Sequence, residues 1–305
     1  LGVKDFIEVA AEHDRNIDKL RDYILNTFPN EKTTISDNRS SIARISIVGK
    51  PNAGKSTLIN ALAQNDIAMV SEVAGTTRDT VNLNIKVKDK SYSFIDTAGL
   101  RRKSRVTEDI EYYSTSRAVS SIESSDIVIL IIDAEQGPTK QDLKIASLIK
   151  KNNKGIIVAI NKADLIPKGL KDNERIVASA LNVLTEINYA FVVVVSALKS
   201  LNTNSIYKHI DSIYKSQMSK INTNNLNKFL KSLIQKSTAP VNKGRRLKLY
   251  YATQTKSEAI SFILFSNFAK GIPNTYRRFI EKSIRNEFAL MGVSIKVSFR
   301  TSRTE

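Results

Sequence analysis

The chain has 305 residues, 47 Lys/Arg against 30 Asp/Glu for a net charge of +17, and no cysteine. That length holds about two domains with proper cores, and the missing cysteines exclude disulfides and thiolate metal sites, which suits a reducing cytoplasm. No apolar run approaches about 18 residues and no charged-then-apolar leader opens the chain, so neither a membrane span nor a signal peptide is expected.

In chain order, Ala10-Ala11-Glu12-His13 and Asn16-Ile17-Asp18-Lys19-Leu20 read, on their own, as a short amphipathic helix. Residues 31–42 are a polar linker, without the periodicity of a helix or strand. After it, strand-like and helix-like runs alternate to Lys220, the pattern of a doubly wound α/β sheet.

The first of those runs, Ile45-Ser46-Ile47-Val48, leads into Gly49-Lys50-Pro51-Asn52-Ala53-Gly54-Lys55-Ser56 and then into helical spacing from Ser56 to Leu62. This is the P-loop pattern G-x4-G-K-[ST] in its required strand–loop–helix context, where backbone N–H groups and a helix N-terminus converge on phosphates. Lys55 is expected to reach the β- and γ-phosphates, and the Ser56 hydroxyl to ligate Mg²⁺. Ala74-Gly75-Thr76-Thr77-Arg78-Asp79 is polar and aperiodic. It reads either as a plain surface turn or as a switch whose Thr77 hydroxyl completes the Mg²⁺ shell while the γ-phosphate is present.

Asp96 ends the run Tyr92-Ser93-Phe94-Ile95 and opens Asp96-Thr97-Ala98-Gly99. A carboxylate at a strand's carboxyl end faces the ligand crevice, so Asp96 is expected to hold Mg²⁺ through water, with the Gly99 N–H against the γ-phosphate. Alone, D-x-x-G is an ordinary turn. Asn161-Lys162-Ala163-Asp164 follows Ile156 to Ile160. A carboxylate at Asp164 accepts from both N1–H and the 2-amino group of guanine, whereas adenine would leave that buried acceptor unpaired. Ser196-Ala197-Leu198 ends the run 191–195 and offers a backbone N–H for the guanine O6. Together, in this order, the segments imply a P-loop NTPase fold that binds and hydrolyses GTP.

A second polar stretch, 221–225, marks a boundary, and residues 222–305 carry 16 Lys/Arg against 4 acids, a net of +12. Such density either attracts phosphate backbones or only solvates helix faces. Beyond the boundary the pattern predicts a helix over 226–235, strands over 247–254 and 259–265, a helix over 275–291 and a strand over 293–299. Tyr250 and Tyr251 offer rings on which bases can stack, but they are adjacent on a strand, where alternation should bury one and expose the other, which favours a core-and-surface pair. Arg245, Arg246, Arg277 and Arg278 form two local pairs flanking the sheet-forming segments and are the RNA-binding candidates.

The Gly-x-Pro-Asn-x-Gly-Lys-Ser loop, the Gly-Thr-Thr-Arg-Asp stretch and Asp-Thr-Ala-Gly-Leu resemble the bacterial Era-like GTPases. Within them the chain is similar to the Der (EngA) tandem-GTPase family over about residues 7–300. Ala10 to Leu20 resembles the last signature and helix of that family's first G domain, so residues 1–30 are expected to be a domain remnant and the chain a fragment. Residues 43–220 would then be a Ras-like G domain, with a mixed, mostly parallel sheet and helices on both faces. Residues 222–305 would be a smaller α+β KH-like domain. The sequence departs from the family at Asp14, Asn16, Ala163 and Glu258 to Ser261, none of which supplies a side chain to the nucleotide.

The resemblance implies a GTP/GDP-dependent factor for the large ribosomal subunit that binds ribosomal RNA; no DNA partner is expected. Leu100 stands where many GTPases place a water-orienting glutamine, and an apolar side chain cannot orient water, so the backbone, Thr77 or an added cation must do so. Asn52 matches the position that, in Era-like relatives, accompanies a bound K⁺; otherwise it is a turn-stabilising asparagine. Era itself, which joins one G domain to a KH domain and would act in small-subunit maturation, is the neighbouring alternative, and a degenerate fragment that binds RNA without turning over GTP is the alternative from another class. The absence of Gly-x-x-Gly after residue 222 removes the usual backbone clamp on single-stranded RNA.

Overall fold

Two strands, Ile127–Asp133 and Gly155–Asn161, are apolar up to their last residue and buried along their whole length, as strands covered on both faces must be. They form the middle of the larger sheet. In the computed structural model of the chain, residues 43–64, 68–74, 81–97, 118–166, 173–255 and 260–302 are described. The expected remnant 1–30 and linker 31–42 lie outside these residues.

The elements run β1 (Ala43–Val48), α1 (Lys55–Ala63), β2 (Ala68–Ala74), β3 (Val81–Val87), β4 (Lys90–Phe94), β5 (Ile127–Asp133), α2 (Lys140–Lys151), β6 (Gly155–Asn161), α3 (Asn173–Val183), β7 (Phe191–Val194) and α4 (Ser205–Met218). The sheet order is β2-β3-β4-β1-β5-β6-β7. From β4 to β7 every pair is parallel, while β2-β3 and β3-β4 are antiparallel. Strict strand–helix alternation therefore fails at one edge. Lys88 takes the left-handed region, φ 55°, and closes β3 onto β4 in a tight turn that leaves no room for a crossover helix. Apolar residues of α1 (Leu58, Ile59, Leu62) and α4 (Ile206, Ile210, Ile213) cover one face of the sheet. Ile145, Ala146 and Ile149 of α2 and Ala180 of α3 cover the other.

The basic segment adds α5 (Thr223–Lys236), β8 (Val241–Asn242), β9 (Arg245–Arg246), β10 (Leu249–Thr255), β11 (Ile260–Ser266), α6 (Asn274–Glu287) and β12 (Ile295–Thr301). Asn222 caps α5 with its side-chain oxygen, accepting from the Asn224 N–H at 2.8 Å. The three-stranded sheet is ordered β10-β11-β12, antiparallel then parallel. Leu226 and Leu230 of α5 and Ile280 and Ile284 of α6 pack on its inner face with Ala252, Phe262, Leu264 and Phe299.

Three expectations are corrected here. The second helix stops at Glu287 rather than at 291, because Ala289 (φ 52°) and Gly292 (φ 72°) turn the chain into the left-handed region. The last strand starts at Ile295 because Gly292 is engaged elsewhere, as described next. Tyr250 and Tyr251 are both exposed, at 40% and 47%. A bulge between Leu249 and Tyr251 breaks the alternation that would have buried one of them.

The two sheets share one continuous core, in which Ile213 of α4 joins Leu226, Leu290 and Val293. The Ile156 N–H donates to the Gly292 carbonyl at 2.7 Å, and the Gly292 N–H donates to the Tyr189 carbonyl at 2.7 Å. A Cβ on Gly292 would sit 2.7 Å from both Ile213 and Phe191. Beside it the buried Arg285 guanidinium donates to the Leu290 carbonyl at 2.7 Å and to the Val293 carbonyl, and lies 4.0 Å over the Tyr189 ring. No described helix is long and apolar enough to cross a membrane.

Candidate nucleotide site

The carboxyl ends of β1, β4, β5, β6 and β7 lie side by side, and the polar segments that follow them meet there, where open α/β sheets bind ligands. Gly54 opens α1 at φ 98°, and Asn52 stands at φ 61°. Both turns are needed to bring the loop's backbone around on itself. A Cβ on Gly54 would collide with the Asn161 side-chain nitrogen, so a bare backbone is required at that point. The exposed Ser56 lies in the first turn of α1.

Lys55 folds back over the loop. Its Nζ donates to the Gly49 carbonyl at 2.9 Å and to the Lys50 carbonyl at 2.6 Å, leaving one of three N–H groups for an anion. Burial lowers its pKa from the ordinary lysine value, because a desolvated ammonium lacking an anionic partner disfavours its charge. Lys50 Nζ reaches Gln136 Oε1 at 3.1 Å, and Pro51 is exposed at the loop's rim.

Asn161 ties the site together. Its Nδ2 donates to the Ala53 carbonyl of the loop at 2.9 Å, and its Oδ1 accepts from the Ala197 N–H at 2.9 Å. Asp164 Oδ1 accepts from Ser196 Oγ at 2.6 Å, and the Ala163 N–H donates to the Val195 carbonyl at 3.1 Å. The expected base-reading segments after β6 and β7 are thus held against each other and against the phosphate loop. Leu198 is 77% exposed at the mouth. Lys162 (φ 67°) pairs through Nζ with Asp133 Oδ2 at 2.6 Å.

Two residues of this cluster were missed from sequence. Burial alone would raise the Asp133 carboxyl, but Lys162 and the Glu135 N–H outweigh it and hold it below the usual range. Asp133 ends an apolar strand, as Asp96 nearly does, and that placement was its available signal. Ser121 donates through Oγ to Asp96 Oδ2 at 2.6 Å, orienting a carboxylate whose backbone is itself left-handed at φ 57°; nothing in the sequence marked it. Thr97 is buried next to Asp96. Thr77, Ala98, Gly99 and Leu100 lie outside the described residues.

The donor set fits a magnesium nucleotide. A glycine-cleared loop, a lysine with an N–H to spare, a hydroxyl at the helix start and an oriented carboxylate are the groups that hold one. Among the described residues no His/Cys/Asp/Glu cluster forms a metal cage of its own. The four arginine candidates do not converge. Arg245 and Arg246 are exposed on the β8–β9 hairpin, whereas Arg277 on α6 donates to the Ala269 and Ile272 carbonyls and lies 5.1 Å from the Phe299 ring centre. Arg278 lines a separate cavity of about 450 Å³ with Lys150, Glu186 and Arg285.

A family model described as a 50S ribosome-binding GTPase matches residues 44–162. A second, the KH-domain-like C-terminal region of EngA bacterial GTPase enzymes, matches 220–300. GTPase Der of Agathobacter rectalis is 38% identical over 296 residues, 97% of this chain and 67% of that protein. GTPase Der of Alkaliphilus oremlandii is 38% identical over 300 residues, 98% of this chain and 68% of that protein. A crystal structure of Era with MgGDPNP and 16S ribosomal RNA aligns at 22% identity and TM-score 0.43, covering 85% of this chain and 92% of that one. The chain spans about two thirds of the length of the curated relatives it matches. On that identity and coverage, with a G domain followed by an EngA-type KH-like region, the chain belongs to the GTPase Der family.

Proposed function

We propose that the chain is a cytoplasmic GTP-binding and GTP-hydrolysing switch acting in assembly of the large ribosomal subunit. The observation that carries the nucleotide reading is Asn161, whose one side chain joins the phosphate loop at Ala53 to the guanine-facing segment at Ala197. In this reading residues 43–220 are the GTPase domain and residues 222–305 the KH-like domain, which docks on ribosomal RNA.

Gly49 to Ser56 wrap the phosphates, and Lys55 turns its remaining N–H toward them. Ser56, Thr77 and, through water, Asp96 hold Mg²⁺. Mg²⁺ held by these residues would supply positive charge to the phosphoryl oxygens. Asp164 reads the guanine N1–H and 2-amino group, the Ala197 N–H its O6, and Asn161, Lys162, Ala163, Ser196 and Leu198 shape the base pocket. Gly99 senses the γ-phosphate. Leu100 leaves the attacking water without a side-chain partner, and K⁺ held at Asn52 supplies charge beside the phosphates.

Turnover of GTP in K⁺ against Na⁺, with and without large ribosomal subunits, tests this reading. Hydrolysis should be slow alone, rise in K⁺ but not in Na⁺, and rise again with subunits; Ser56→Ala and Thr77→Ala should lose the Mg²⁺-dependent part. Equal rates in both salts would remove the K⁺ site, and no turnover under any condition would remove hydrolysis itself.

A further inference from the structure

The helices α5 and α6 cover one face of the three-stranded sheet. Along β11, Phe262 and Leu264 point inward and are fully buried, so Ile263 and Phe265 point to the other face. Neither of these, nor Tyr250 or Tyr251, packs against the shared core. The pairing registers place Tyr251, Phe265 and Arg300 in one row across the three strands, about 4.8 Å from strand to strand. The Tyr251 ring stacks on Phe265 with centroids 4.2 Å apart and planes 13° from parallel. Arg300 is exposed at the far end of the row, and the bulge adds Tyr250 at the near edge.

The basic hairpin closes the same end of the sheet. Lys243 and Gly244, at φ 48° and 75°, form its two-residue turn. Asn267, just past β11, accepts from the Lys248 N–H at 2.9 Å and donates to the Arg246 carbonyl at 2.9 Å. The Arg246 backbone is therefore tied to the residue two places beyond Phe265 in the chain. No described carboxylate pairs with Arg245, Arg246, Lys248 or Arg300.

We propose that this face is a docking platform for single-stranded RNA, with bases stacked on Tyr250 and Tyr251 and phosphates held by Arg245, Arg246 and Arg300. The proposal rests on the ribosomal RNA reading above and names the surface and the form of RNA it takes. A single strand alternates flat apolar rings with negative charge, which is what an aromatic row flanked by guanidinium groups with no carboxylate partner among the described residues complements. A duplex offers phosphates but no unstacked base. A protein surface would need a cluster of acids beside an aromatic-binding face to match both features.

The test is fluorescence anisotropy of the full chain with a labelled mixed-sequence RNA 12-mer, single-stranded and annealed to its complement, in a salt series. Tyr251→Ala should weaken single-strand binding by about 5- to 100-fold without changing the salt slope, while Tyr251→Phe should restore it. Duplex binding should be indifferent to both. Reversing Arg245 and Arg246 to Glu should lower the log–log salt slope by roughly 1 to 2. Tyr251 is surface-exposed, and unchanged melting temperature and GTP affinity would confirm intact folding. Tight single-strand binding by Tyr251→Ala would overturn the platform and leave the RNA reading standing; no RNA binding by the unaltered chain at low salt would overturn both. If Tyr251→Ala changed self-association in sedimentation rather than RNA affinity, the face would be a contact between copies and the proposal would fall.

Discussion

Asp164 and Asn161 sit three residues apart and answer to different demands. Asn161 is buried and has both ends of its amide engaged, so its role is to hold two segments at a fixed spacing. Asp164 accepts the Ser196 hydroxyl, and an amide at that position keeps an oxygen for that bond. Asp164→Asn should therefore fold normally, while its new N–H₂ suits the 2-oxo group of xanthine and opposes the 2-amino group of guanine. Nucleotide titrations should show GTP affinity falling by about 10- to 100-fold, roughly 1.4 to 2.8 kcal/mol, with xanthosine triphosphate gaining. Unchanged preference for GTP would remove Asp164 from the base-reading role. The segments that the structure brings together at the strand ends were legible because phosphate and guanine recognition constrain residue type at fixed spacing. Ser121 was not, since it acts on another side chain and many residue types can fill such a supporting position, and Asp133 offered only its place at the end of an apolar strand.

Among the elements, the both-face-buried strands and the periodic helices could be read from apolar pattern alone, and their ends shifted by one to four residues. The hairpin β8–β9 could not, because two-residue strands carry no pattern. Nor could the bulge at Tyr250, because it depends on how β10 registers on β11. The turn after α6 was hidden for a further reason: its stop is set by contacts with β6 and Tyr189, far away in sequence. Gly292 concentrates that dependence. Gly292→Ala should destabilise the chain by roughly 2 to 4 kcal/mol, combining left-handed strain with overpacking against Ile213 and Phe191. Denaturant midpoints would measure it. A loss below about 0.5 kcal/mol, within the range of a neutral surface change, would mean that the turn is not held as tightly as its two 2.7 Å hydrogen bonds indicate.

At the scale of the whole molecule, the bond from the Ile156 N–H to Gly292 crosses from one sheet's territory into the other's at the amino end of β6, while Asn161 grips the phosphate loop at its carboxyl end. With a shared core, residues 43–302 should open as one cooperative unit, and the Ile156 amide should exchange its hydrogen with solvent no faster than the amides in the middle of β5. Exchange more than about 100-fold faster, a difference near 2.7 kcal/mol, would mean that the two parts separate before the whole unfolds. If they do not separate, a ligand need not touch an amide to protect it. GTP at about 100 times its dissociation constant adds roughly 2.7 kcal/mol to the cost of every opening that destroys its site, so nucleotide on the phosphate loop should slow deuterium uptake in β11 of the three-stranded sheet, by mass action alone and with no movement passing between them.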